Sequence, residues 1–306
     1  MALRPNQDRA RQFDRYVPIN SRTIALRAFN RHETELNKHF WSFKVIAEYA
    51  GYLARRQRES DPTHLTERLF CASGVDASRI PRTVEEWLVA SKELENWLRI
   101  SALVSASSYL EAYVRQVGRT ALLSDPLGRI GHVRSLDGTQ LLKIGAELPY
   151  TEELGELTRG EWTKRRAAFS SIFRMPQELL GEFDADLEFI RRARNNFAHG
   201  FGRDLDAPEP DEKELGGPLK ISQNRLIKCL GVISKVAKKI DEFLIQNCIG
   251  NFEYIYFYHK WHHEIWVPDA ANISEDRALK RAIIHGLNTT VSAGFCRGLI
   301  EFYRSA

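Results

Sequence analysis

The chain has 306 residues, with 44 Lys and Arg against 40 Asp and Glu and a net charge of +4. Its 43% apolar and 10% aromatic residues are enough to bury a sizeable core, which excludes a chain disordered throughout. No stretch offers the roughly 20 apolar residues of a membrane-spanning helix, and no apolar segment follows the arginines between Met1 and Arg15 as a secretory signal requires.

Cys71, Cys229, Cys248 and Cys296 form no CxxC pair, so neither a zinc ribbon nor a dense disulfide framework is indicated. The expectation is a soluble, cytoplasmic protein with buried thiols. No period of 20 to 50 residues recurs, which argues against a solenoid.

Between Ser21 and Arg56, Phe40, Phe43, Ile46, Ala47 and Ala50 recur at three- and four-residue spacing, predicting one long helix or two abutting ones. Asp61-Pro62, Gly74 and Pro81 interrupt the pattern and mark a boundary. Thr83-Val84-Glu85-Glu86 reads as a capping box, in which the Glu86 amide donates to the Thr83 hydroxyl and the Glu86 side chain reaches back. The apolar positions from Trp87 to Val114 then predict a long helix ending near Leu123, before Pro126.

Gly128 to Tyr150 is rich in turn residues and carries no assignment, while Gly160 to Phe173 is a basic amphipathic segment. Pro176 predicts the first turn of a helix running through Ala198-His199, with Gly200 as its stop. Arg203 to Lys220, with three prolines, two glycines and clustered acids, reads as a solvated loop. A helix is expected from about Ser222 to Gln246 on the stripe Leu226, Leu230, Ile233, Val236 and Ile240. Phe252 to Trp266 is aromatic and strand-prone, and Ser274 to Tyr303 reads as a last helix. The class is therefore all-α: a helical bundle over 83–247, with a helical extension at 1–80 and an aromatic segment and helix at 248–306.

The stretch from Phe189 to Gly200 carries chemistry. At 100° per residue Ile190, Ala193 and Phe197 share a core face, whereas Arg191, Asn195 and His199 are stacked four residues apart along one edge. Arg194 flanks them closely enough to converge on His199. Carbonyls at a helix C-terminus favour an imidazolium, which suits His199 to deliver a proton near neutral pH. A guanidinium grips two phosphate oxygens and neutralises charge that grows in the transition state, while an imidazole moves a proton. With RNA the 2'-hydroxyl is the nucleophile, leaving a 2',3'-cyclic phosphate and a 5'-hydroxyl, and the chemistry needs neither metal nor cofactor.

Arg194-Asn195-x-x-x-His199-Gly200, at a helix end in an all-α chain, resembles the signature of the HEPN superfamily, many of whose members are metal-independent ribonucleases. The resemblance covers about Thr83 to Gln246. It implies that Arg194 stabilises the scissile phosphate, His199 is general acid or base, and Asn195 orients one of them. Ser107 to Tyr113 is similar to an acid-bearing earlier helix of the family, which makes Glu111 a partner for the motif Arg or Asn. Asn196 would support the site, and Arg191 and Arg203 would contact RNA. The resemblance also implies a homodimer with two motifs facing one cleft, and a toxin or antiviral effector that cuts transfer or other RNA under an inhibitory or trigger partner.

Two other readings stay open: a HEPN-like module that binds RNA, a nucleotide or a protein without cleavage, and a structural all-α oligomer in which Arg194 pairs with an acid such as Glu111 and His199 caps its helix.

His259, His262 and His263 would offer metal ligands at one-turn spacing if helical, but their strand-like neighbours and the lack of a second ligand cluster favour an aromatic cluster without metal. Tyr254, Tyr256 and Tyr258 alternate, as a packed face or a base-stacking platform would. Lys164-Arg165-Arg166, Arg191-Arg192 and Lys235, Lys238 and Lys239 read as solvated helix faces or as an RNA path. Nucleotide-loop, zincin and hydrolase-elbow motifs are absent from the sequence.

Overall fold

The computed structural model describes residues 12–146, 148–200, 219–267 and 273–306, with side chains only as far as Phe197 in the second stretch. The structure is 75% helical, with twelve α-helices and no strand among the described residues beyond one isolated bridge, Leu65 to Thr83. The expected all-α class holds.

Helix α1 (Ile24–Ser60) is a single helix of 37 residues. Its start is secured twice: the Leu26 amide donates to Thr23 Oγ1 at 3.0 Å, and the Ile24 amide donates to the Glu253 carboxylate at 2.9 Å. The expected boundary holds a short α2 (Thr66–Leu69) and a 3-10 turn, Val75–Arg79. Helix α3 (Val84–Ser124) then runs for 41 residues. Its capping box is formed, with the Glu86 amide donating to Thr83 Oγ1 at 3.3 Å and the Thr83 amide donating to Glu86 Oε2 at 3.0 Å.

Short helices follow: α4 (Gly138–Lys143), capped by Asp137, then α5 (Thr151–Thr158) and α6 (Trp162–Phe173). The remainder are α7 (Glu178–Gly181), α8 (Asp184–Gly200), α9 (Gln223–Leu244), α10 (Phe252–Glu264), α11 (Glu275–Leu287) and α12 (Ala293–Ser305). One π-helical turn, Ile245–Ile249, continues α9.

Four expectations are corrected. The helix expected to begin at Pro176 is two helices: the Phe183 amide donates to the Leu180 carbonyl at 3.0 Å, a tight turn that buries both side chains and separates α7 from α8. The strand-prone run 252–266 is helix α10, because Tyr254, Tyr258 and Trp261 fall at helical spacing on a buried face, and that packing outweighs β-propensity. The expected last helix is two, α11 and α12, divided after Asn288, whose left-handed φ of 48° ends α11. Cys71 is exposed, while the other three thiols are buried as expected.

The chain forms two compact units. The first comprises Met1–Phe29, Glu111–Asp184 and Lys235–Ala306. Its core includes Ile255, Tyr258, Ile283, Phe295, Leu299 and Tyr303, against which Phe13 and Ile19 pack. Several buried polar groups are matched inside it. Arg15 pairs with Asp137 at 2.8 Å and donates to the Ile249 carbonyl at 2.8 Å, and the fully buried Asp241 accepts from the Thr23 amide at 3.0 Å and from the Tyr113 hydroxyl at 3.1 Å.

The second unit comprises Asn30–Leu110 and Ala185–Ser234. Its buried residues include Leu103, Leu187, Ile190, Leu226 and Ile233, together with a small cluster of Ala54, Val84 and Leu88. Among the described residues, no helix is long and apolar enough to cross a membrane.

Candidate functional site

Helix α8 is strongly two-faced. Leu187, Ile190 and Ala193 are buried at 0%, 2% and 3% exposure, which fixes the helix rotationally. Phe197, expected in the core, is half-buried, its ring 6.5 Å from that of Trp97. Arg194 and Asn195 are therefore carried at the half-buried margin of the helix, and Asn196 is exposed. The backbone of His199 belongs to α8, but its side chain lies outside the described residues, as does all of Arg203.

Two acids organise the basic residues around this margin. Glu188 Oε2 accepts from Arg191 Nε at 2.9 Å, and Glu188 Oε1 accepts from Arg192 Nε at 3.2 Å. These guanidinium hydrogen bonds, Arg191 first, hold the Glu188 carboxyl below the usual carboxylate range. Arg191, expected at RNA, is thus held along its own helix by an acid three residues earlier. Asp186 ties α8 to α9 through Lys228 at 2.9 Å and Arg225 at 3.0 Å, and is held low chiefly by the Lys228 hydrogen bond. Arg225 also lies over the Phe189 ring, 4.2 Å from its centre.

The chain enters α9 through a clamp that sequence reasoning missed. Asn96 on α3 donates to the Leu219 carbonyl at 2.8 Å and accepts from the Ile221 amide at 2.9 Å, while Arg99 Nε donates to the Ile221 carbonyl at 2.7 Å. An isolated Asn and Arg on a helix carry no sequence signal for this role.

Glu111, expected beside the motif, lies on α3. Its carboxylate is 3.3 Å from Arg165 Nη2. Arg165 is buried at 4% exposure and lies 4.9 Å from the Trp162 ring centre. It is thus neither a solvated nor an RNA-facing member of the run Lys164-Arg165-Arg166. Arg166 pairs with Asp184 at 3.0 Å, and Lys239 with Glu182 at 2.8 Å.

The histidines of α10 are spoken for by neighbours. The Tyr303 hydroxyl lies 2.7 Å from His259 Nδ1, and His262 Nδ1 lies 3.1 Å from the Glu275 carboxylate. Among the described residues, no three His, Cys, Asp or Glu side chains converge as a metal cage. The tyrosine platform is corrected as well, since the helix buries Tyr254 and Tyr258 at 3% and 1% exposure and leaves only Tyr256 half-buried.

Fold and site together define an all-α protein with a basic, acid-buffered helix margin. No protein-family model, curated protein or solved structure matches the chain.

Proposed function

We propose that the chain is a metal-independent endoribonuclease of HEPN type. The observation that carries the reading is Arg194-Asn195-x-x-x-His199-Gly200 on the last turns of an all-α chain's amphipathic helix, followed in sequence by a second long helix. In the reaction the RNA 2'-hydroxyl attacks the adjacent phosphorus and loses its proton to a base. The P–O5' bond breaks, and the departing 5'-oxygen takes a proton from an acid. The products are a 2',3'-cyclic phosphate and a 5'-hydroxyl, and no water is consumed.

Arg194 neutralises the oxygens of the pentavalent transition state, His199 moves one of the two protons, and Asn195 orients the pair. One histidine per chain supplies one of the two proton-transfer groups, so a symmetric dimer supplies both. In support, Trp41, Val45, Tyr49 and Tyr52 form an exposed stripe along α1, 40%, 68%, 65% and 53% accessible, of the kind that a second copy covers. A role as a toxin or antiviral effector acting on transfer or other RNA, restrained by a partner, follows the family resemblance.

The test is incubation of total RNA with the wild type, Arg194→Ala and His199→Ala in the presence of EDTA. New 5'-hydroxyl and cyclic-phosphate ends are expected from the wild type alone, with either variant slower by roughly a hundredfold or more. Equal, end-free RNA from all three proteins would replace the enzyme by a binding module.

A further inference from the structure

On α3, Arg115 and Arg119 are exposed one turn apart, and neither side chain has a hydrogen bond or ion pair with a described residue. Like charges at that spacing repel, and an anion held between them converts the repulsion to attraction. Both line a cavity of about 550 Å³ in the first unit.

Its lining also holds Lys260, His259 and His263, with Glu264 the one acid among the described lining residues. Glu147, which lies between the lining residues Ala146 and Leu148 in the chain, is outside the described residues. The polar groups are pre-set: the Tyr303 hydroxyl lies 2.7 Å from His259 Nδ1 and 3.3 Å from His263 Nε2, and Lys260 Nζ lies 5.1 Å from the Tyr256 ring centre.

A second cavity of about 320 Å³ shares Arg119, Leu123 and Tyr256 with the first. It is largely apolar, lined further by Ile24, Ala28 and Phe252. Both volumes fall in the range that holds small ligands.

We propose that the two cavities form one site for a phosphate ester with an apolar or aromatic body. The phosphate sits among Arg115, Arg119 and Lys260, and the body lies against Leu123, Phe252 and Tyr256. Paired guanidiniums favour a phosphate, which offers oxygens to both at once. Arg119, common to both cavities, stands where head and body join. The site uses no residue of the Arg194 motif, so it stands or falls apart from the nuclease reading.

Calorimetric titration of the full chain with pyrophosphate, AMP, octyl phosphate and adenosine tests the site. Pyrophosphate and at least one ester are expected to bind, more weakly as salt rises, and uncharged adenosine is not. Binding by AMP alone of the esters assigns a nucleotide, and by octyl phosphate alone an amphiphilic phosphate. Arg115→Ala with Arg119→Ala is expected to weaken the bound ester by at least about tenfold without shifting the melting temperature, since both side chains are exposed. Arg115→Ala alone is expected to weaken pyrophosphate, and supplies the comparison should the double variant lose its fold. The proposal is overturned if no phosphate-bearing probe binds the wild type at millimolar concentration, or if ester and pyrophosphate bind these variants unchanged.

Discussion

Asn96 shows how one side chain can decide where a helix begins. Its carboxamide donates one hydrogen bond and accepts another from the segment entering α9, at Leu219 and Ile221. Asn96→Ala leaves a carbonyl and an amide without these partners, and a loss of about 2 kcal/mol is expected in urea unfolding. Asn96→Asp, which keeps only the acceptor, should fall between.

Glu253 sets a pH dependence. Burial, the largest cause, pushes its carboxyl from 4.5 up to about 7, against the opposing hydrogen bond from the Ile24 amide. Between those values the folded chain holds a proton that the unfolded chain has released, so stability falls as pH rises. The contribution is complete below about 4.5 and gone above about 7, a span of about 3 kcal/mol. Asp241, also raised by burial, adds a slope of the same sign. Urea midpoints at pH 5 and pH 8 should differ in the wild type, and Glu253→Gln, which keeps an acceptor for Ile24, should reduce the difference. An unchanged difference would place the titration elsewhere.

Among the elements, the most legible were those whose signals are local. The Thr83–Glu86 capping box, the apolar series behind it and the stripe of α9 specify their helices within a few residues. Helix α10 was opaque because β-branched and aromatic residues score as strand when counted alone, and only their common burial with α11 and α12 makes the helix win. The turn between α7 and α8 was hidden for a related reason: no proline or φ-positive glycine marks it, and it exists to seat Leu180 and Phe183. For the motif, the rotational placement of Ile190 and Ala193 could be read from spacing, but the hold of Glu188 on Arg191 and Arg192 could not, since Glu188 has several basic neighbours within helical reach. At this scale the α1 stripe makes a claim of its own. Val45→Glu with Tyr49→Glu is expected to turn a dimer into a monomer by light scattering while leaving helicity intact, because both positions are exposed. A wild type that is monomeric at all concentrations would remove the shared-cleft part of the nuclease proposal.

At the scale of the whole molecule, neither unit is a continuous stretch of chain. Arg15, which bonds the Ile249 carbonyl 234 residues away, and Phe13, whose ring sits 5.3 Å from that of Phe295, bring the two ends of the described chain into one core. During synthesis this arrangement imposes a wait. At about 5–20 residues per second, roughly 12 to 47 s separate the appearance of Arg15 from that of its partner. Throughout that interval the Arg15 guanidinium lacks its Ile249 acceptor and Phe13 is uncovered by Phe295, the kind of surface that holdase chaperones bind. Ribosome-stalled chains ending before residue 249 should therefore be cleaved readily in the 12–29 region, and chains that carry residues 249–306 clear of the ribosome should resist.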